Sequence, residues 1–221
     1  MSGSVQIAVV DYGMGNRRSV QKALEHVGAK AEITHDPDRI AAADGVVVPG
    51  VGAFPLAMRN LSELGLDTTL RAVASSGRPL LGICLGMQVL FERSDEFGST
   101  AGLGLIPGVV TPLDAHGLRI PHIGWNEVRF ERPSPLTADL PASGCAFYHV
   151  HSLAVRPRDA ADVIGSTEYG ERFATIVARG SVLGVQFHPE KSSGPGLRML
   201  AGFTALCRGE AVAAGPAAAR A

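Results

Sequence analysis

The chain has 221 residues, 46% of them hydrophobic and 19% charged, with a formal net charge of −1. That balance, with no long basic stripe, argues against binding to nucleic acid or an anionic membrane through bulk charge. At this length one compact domain buries about 70% or more of its unfolded surface, so no metal or disulfide staple is needed.

The expected organisation is a single domain over residues 1–210 and a frayed, Ala-rich tail over 211–221. The three cysteines, Cys84, Cys145 and Cys207, are odd in number and widely spaced, which fits a reducing, cytoplasmic setting better than secretion. No basic region followed by a long apolar stretch opens the chain, and no run of about 18 apolar residues occurs. Neither a signal peptide nor a membrane span is therefore expected. Gly13-Met14-Gly15 lacks the third glycine of a dinucleotide fingerprint, and no phosphate-loop or metal-ligand spacing is present, so no cofactor and no metal is expected.

"SVQIAVVDYG" reads as a buried strand closing on a glycine loop. In "RRSVQKALEHVG", Val20, Ala23, Leu24 and Val27 mark one helix face and Gly28 is a natural stop. "KAEIT" and "DGVVVPG" are strands, "FPLAMRNLSELGL" and "TTLRAVASSG" helices, "RPLLGI" a fourth strand and "LGMQVLFERS" a further helix. This alternation predicts a parallel α/β arrangement, whose sites form beyond the carboxyl ends of the strands. The loops "DYGMGN", "PGVGAF" and "GICLGM" all fall there. The second half changes to shorter strand-like runs, "IGWNEVRF", "CAFYHVHSLAV", "DVIGSTEYG", "RFATIVARG" and "VLGVQF", which predict an antiparallel extension before a closing helix in "GPGLRMLAGFTALCRGEAV". That helix would set Leu197, Leu200, Ala201 and Thr204 on one face.

Gly82-Ile83-Cys84-Leu85-Gly86 has the form of a nucleophile elbow with cysteine in place of serine. Strand and helix crowd together at such a turn, so glycine is needed on either side. A sulfur at a helix N-terminus is favoured as thiolate. Taken alone, the pattern leaves Cys84 as either nucleophile or small buried core residue. A base is supplied by "GVQFHPEKS": Pro189 holds His188 extended, and in an extended stretch residues 188 and 190 point to one side, so Glu190 can orient the ring. Together these make a Cys-His-Glu triad. Acyl chemistry also needs an oxyanion hole, for which the N–H groups of Leu85, Val51 and Gly52 are candidates. His26, His35 and His116 read as surface residues, and Cys145 and Cys207 as structural.

"GICLGMQ" and "GVQFHPE" together resemble the class I (triad) glutamine amidotransferases. "DYGMGN", "PGVGAF", "IPHIGWNEV" and "VHS" are similar to the motifs of one branch, the glutaminase subunits of imidazole glycerol phosphate synthase. The resemblance runs from about residue 5 to residue 207. It implies a flavodoxin-like, mostly parallel sheet and the hydrolysis of glutamine to glutamate and ammonia through a cysteinyl thioester. The ammonia would pass to a (β/α)8-barrel cyclase subunit of the HisF type, held as a heterodimer, in histidine biosynthesis. Cys84 would be the nucleophile, His188 the acid/base and Glu190 its orienter. Glutamine would be held by Gly50, Gln88, Glu96 and the backbone around His151 and Ser152. Asn16, Pro121, His122, Trp125, Tyr148 and Lys191 would face the cyclase, and the glutaminase would idle until the partner is occupied. The chain departs from the branch at "FYHVHSL", where His149 replaces an aromatic and Leu153 a tyrosine. His149 is expected on the strand face opposite Tyr148, in a structural role. Two other readings stay open: a class I amidotransferase of another pathway, and a non-catalytic binding subunit on the same fold.

Overall fold

A computed structural model describes residues 4–210. The tail expected to fray lies outside the described residues. Among those described, the chain runs through β1 (Gln6–Val10), α1 (Arg17–His26), β2 (Lys30–Thr34), α2 (Pro37–Ala42), β3 (Gly45–Gly50), α3 (Phe54–Glu63), α4 (Leu66–Ser75), β4 (Leu80–Cys84) and the single turn α5 (Leu85–Gln88). Strands then dominate: β5 (Phe91–Ser94), β6 (Thr100–Ala101), β7 (Ile106–Pro112), β8 (His122–Phe130), β9 (Cys145–His151), β10 (Leu153–Pro157), β11 (Val163–Tyr169), β12 (Glu171–Arg179) and β13 (Val182–Val185), before α6 (Ser193–Cys207).

The expected α/β class is what the chain adopts. Five parallel strands lie in the order β2-β1-β3-β4-β13, and β12, antiparallel to β13, begins the extension. A branch leaves β12 through β11 and β8 to β9, all antiparallel. β3 and β4 are buried at every position, as interior parallel strands must be. Their side chains alternate between two layers. Val46, Val48 and Leu80 pack with Leu61, Leu66 and Leu70 of α3 and α4. Val47 and Leu81 pack with Val20 and Leu24 of α1 and Phe203 of α6.

Four features differ from expectation. The predicted helix over "LGMQVLFERS" stops at Gln88, and Phe91–Ser94 pairs with β7 and β6 as a strand. A short apolar run fits either state by pattern alone; here fully buried Phe91 sits in the sheet. "CAFYHVHSLAV" breaks at Ser152 into β9 and β10, which pair with different neighbours. α2, capped by the Asp36 carboxylate accepting from the Asp38 N–H at 2.9 Å, and β7 were not anticipated.

The inner face of the β8–β9 hairpin is polar. His122, His149 and His151 are 2%, 0% and 5% exposed. One assignment of tautomers satisfies all three as neutral rings. His151 Nδ1–H donates to the Leu153 carbonyl at 2.8 Å, and its Nε2 accepts from His122 Nδ1–H at 3.0 Å. His122 Nε2 accepts from the Asn126 amide at 3.3 Å. His149 donates to the Phe147 carbonyl and accepts from the Thr175 hydroxyl, both at 3.1 Å. His122 also stacks on Tyr169 at 4.0 Å. The expectation that His122 faces a partner is therefore corrected: the alternation of β8 turns it inward, where His151 and Asn126 hold it. Burial pushes His122 down to about 4, His151 down to about 3 and His149 well below the usual histidine range.

Two outcomes follow from this packing. A Cβ on Gly86 would lie 1.7 Å from the Val48 carbonyl oxygen and 2.7 Å from its carbon, both backbone atoms of β3. Gly86→Ala should destabilise the fold by about 3 kcal/mol or more, read as a fall in melting temperature. The buried histidines set an acid limit. Unfolded, each takes up a proton near pH 6.5, while the folded rings refuse it until the pH nears 4 or below. Stability is therefore intact above pH 6.5 and falls as the pH drops below it, with His151 alone contributing a loss of about 2 kcal/mol at pH 5. Calorimetric melting at pH 7 and pH 5 checks this, and an unchanged melting temperature would contradict it.

Candidate active site

Three neighbouring parallel strands deliver the site. Gly50 at the end of β3 is the register partner of Cys84 at the end of β4, and Val185 at the end of β13 is the partner of Ile83. The loops beyond these ends carry Val51 and Gly52, then Leu85, then Gln186, His188 and Glu190. Strand order thus gathers segments more than a hundred residues apart at one carboxyl edge.

Cys84 has φ 55° and ψ −111°, a conformation that side chains rarely adopt. The flanking glycines make the turn possible. A Cβ at Gly82 would sit 2.4 Å from the Gly86 carbonyl oxygen, and Gly86 itself lies against β3. The turn lifts the sulfur out of the strand into a space bounded by β9 and the segment after β13. There it lies 3.7 Å from the Val150 carbonyl and 3.6 Å from Gln186 Nε2.

His188 is fully buried and its backbone is clamped. Its N–H donates to the Tyr148 carbonyl at 2.9 Å. The Ser192 hydroxyl donates to the His188 carbonyl at 2.7 Å and accepts from the Tyr148 N–H at 3.0 Å. Glu190 reaches the ring differently from the expected extended alternation. Pro189–Lys191 forms a 3-10 turn, and this brings the Glu190 Oε1 within 2.9 Å of His188 Nδ1. The same oxygen accepts from the Asn16 amide at 2.7 Å. Asn16, expected at a partner surface, has its amide turned onto the His-Glu pair, with its backbone in the left-handed region at φ 77°. His188 Nε2 is left without a hydrogen bond. Burial alone would push the ring down, but the Cys84 sulfur and the Glu190 carboxylate outweigh it and raise His188 to about 9. This imidazole is charged at neutral pH, whereas those of β8 and β9 are not.

Beside Cys84 lies a cavity of about 260 Å³. Val51, Gly52 and Leu85, the candidate oxyanion donors, are on its wall, and neither the Val51 nor the Gly52 N–H is donated within the described residues. Gln88 and Glu96 line it too, as do His151 and Ser152, so the residues expected around glutamine converge here. Gly50 stands close by, packed against the Tyr12 hydroxyl, which is buried and has no hydrogen-bond partner. Glu96 is half-buried and accepts from the Phe54 N–H at 2.6 Å, which leaves its other oxygen for a ligand. Two larger depressions, about 440 and 570 Å³, adjoin Arg172 and contain neither cysteine nor histidine.

Pro121 is on the cavity rim. Trp125 is 53% exposed and meets half-buried Tyr148 edge-on across the β8–β9 pair at 6.2 Å. Ile123, two residues before Trp125 on β8, is 59% exposed, and Lys191 is exposed beyond the 3-10 turn. Of the other thiols, burial raises Cys145 and pushes Cys207 up to about 12, the opposite of activation. Among the described residues no cluster of three or more metal-ligating side chains occurs, and no helix is long and apolar enough to cross a membrane.

Sequence reasoning missed Gln186 and Ser192. Gln186 had a signal: two residues before His188 on an extended stretch, it shares the base's side. Ser192 had none, because its role depends on the approach of β9.

The description "Glutamine amidotransferase class-I" matches residues 8–205. A protein of Moorella thermoacetica called imidazole glycerol phosphate synthase subunit HisH is 54% identical over 202 residues, covering 91% of this chain and 95% of that one. A protein of the same description from Symbiobacterium thermophilum is 50% identical over 198 residues, covering 90% and 92%. Among solved structures, PurLQS from Thermotoga maritima superposes with a TM-score of 0.72 at 19% identity, covering 90% of this chain and 96% of that one. A crystal structure of a glutamine amidotransferase gives a TM-score of 0.69 at 21% identity, covering 91% and 98%. These structural likenesses speak for the fold, and the sequence matches for descent: the chain belongs to the class-I glutamine amidotransferase family.

Proposed function

We propose that this chain is the glutaminase subunit of an imidazole glycerol phosphate synthase. It hydrolyses glutamine and supplies the ammonia to a HisF-type (β/α)8-barrel cyclase, bound as a heterodimer, which forms imidazole glycerol phosphate and aminoimidazole carboxamide ribotide. The observation that carries the reading is the convergence of Cys84 and Gln88 on one cavity, with the buried His188–Glu190 pair coupled to the Cys84 sulfur. The description shared by the relatives above supports the choice of pathway.

The reaction uses the Cys84 sulfur as nucleophile, attacking as thiolate, and His188 as the proton donor. The sulfur attacks the side-chain amide carbon of glutamine, and the carbonyl electrons move to oxygen. Backbone N–H groups of Leu85, Val51 and Gly52 receive that oxyanion. His188 gives its proton to the amide nitrogen, the C–N bond breaks and ammonia leaves a thioester. The now neutral His188 takes a proton from water, the hydroxide adds to the thioester, and glutamate departs as the thiolate and imidazolium are restored. Glu190 holds the ring in the required tautomer, and Asn16 holds Glu190. The exposed Trp125 and Ile123, with half-buried Tyr148, supply an aromatic-centred docking face of the kind that concentrates binding energy.

Mixing the chain with the cyclase and its acceptor ligand should raise glutamine turnover well above that of the isolated chain. No increase would sink the pathway assignment. Trp125→Ala should weaken the complex by on the order of 30-fold in Kd while leaving the fold intact. Because His188 must enter the cycle protonated, kcat/KM should fall above about pH 9. Glu190→Gln should lower kcat by at least about 10²-fold and bring that alkaline limb to lower pH, since a carboxylate that favours the charged ring is gone. A pH-rate profile of both proteins reads the shift.

A further inference from the structure

Gln186 is fully buried, and each end of its amide meets a residue of the site. Its Oε1 accepts from Gln88 Nε2 at 3.1 Å, and its Nε2 is 3.6 Å from the Cys84 sulfur. Its own N–H is spent on the Thr175 carbonyl at 2.9 Å, which fixes the segment to β12. With the amide this way round both ends are satisfied. The Gln88 amide sets the direction: with its nitrogen facing the Gln186 oxygen, the Gln186 nitrogen is the end left for the sulfur. The Val150 carbonyl, 3.7 Å from the sulfur on another side, can only accept, so it favours the thiol. The Gln186 N–H can only donate, so it favours the thiolate.

We propose that Gln186 is a positioning residue for the reaction above. Its amide holds the Cys84 sulfur as thiolate against the pull of the Val150 carbonyl and ties the sulfur's aim to Gln88, which faces the glutamine cavity. A side chain turned by substrate at Gln88 moves the same amide that steadies the nucleophile. The inference rests on the glutaminase reading for its consequence in turnover, but its effect on the sulfur is measurable without glutamine.

The test is alkylation of Cys84 in the full chain by iodoacetamide, followed by peptide mass mapping to separate it from Cys145 and Cys207, with melting curves as a check on folding. In Gln186→Met, a near-isosteric change, alkylation at pH 7 should slow about tenfold or more, because a hydrogen bond to a charged group is lost. The difference should vanish at alkaline pH, where every accessible thiol is ionised. Gln186→Asn, which keeps the amide but withdraws it by one methylene, should show the same slowing and serves if the methionine variant does not fold. With the cyclase present, kcat should fall about ten- to hundredfold, and KM should change several-fold less than kcat. Unchanged alkylation at pH 7 in either folded variant overturns the proposal, as does a slowing that persists at alkaline pH. Absence of glutamine turnover by the unaltered complex would instead sink the glutaminase reading, leaving the alkylation result to stand by itself.

Discussion

The site depends on one close approach of backbone to backbone. Gly86, at the start of α5, lies so near the Val48 carbonyl of β3 that no side chain fits between them, and Gly82 meets the same turn from below. That contact lets β4 end abruptly and hold Cys84 in a backbone conformation that a relaxed chain avoids. The neighbouring strands supply the restraint: β3 and β13 flank β4 in register almost to its last residue. The sulfur therefore leaves the sheet at a defined angle, and the ends of β3 and β13 become the places from which donors and base can reach it.

Four buried histidines in this chain show how neighbours, rather than residue type, decide charge. His122, His149 and His151 sit among aromatic rings and carbonyls, each with both ring nitrogens engaged as a neutral imidazole, and burial drives all three below the ordinary range. His188 is buried as deeply but has a carboxylate on one nitrogen and the cysteine sulfur near the other, and it is raised. The acid-labile part of the core and the acid/base of the site are thus adjacent and opposite in sign. The departure at His149 belongs to the first group. It fills its place with hydrogen bonds to Phe147 and Thr175 and leaves the base untouched.

Alternation along β8 and β9 divides recognition from support. Trp125 and Ile123 point outward, and His122 points inward to the His151 that lines the cavity. A segment that reads as one motif, "IPHIGWNEV", therefore serves two purposes, an outward apolar face and an inward polar prop. Sequence proximity suggested that His122 shared the role of Trp125, but the period of two in a strand separates them.

Family resemblance named most residues of the cavity wall; the sequence by itself determined the parallel first half, the crowded turn at Cys84 and the His-Pro-Glu segment. These follow from local necessities: continuous apolar runs for buried strands, glycines at a crowded turn, and a proline that constrains the histidine before it. What only the tertiary structure decided were relations across the sheet. Asn16 and Glu190 are brought together over 174 positions and Gln186 and Cys84 over 102. The strand at Phe91–Ser94 is likewise settled by a partner in β7 rather than by its own pattern. A residue's spacing records which neighbours it has along the chain. Which amide meets the sulfur, and whether a histidine is charged, depend on atoms that only folding brings within hydrogen-bond reach.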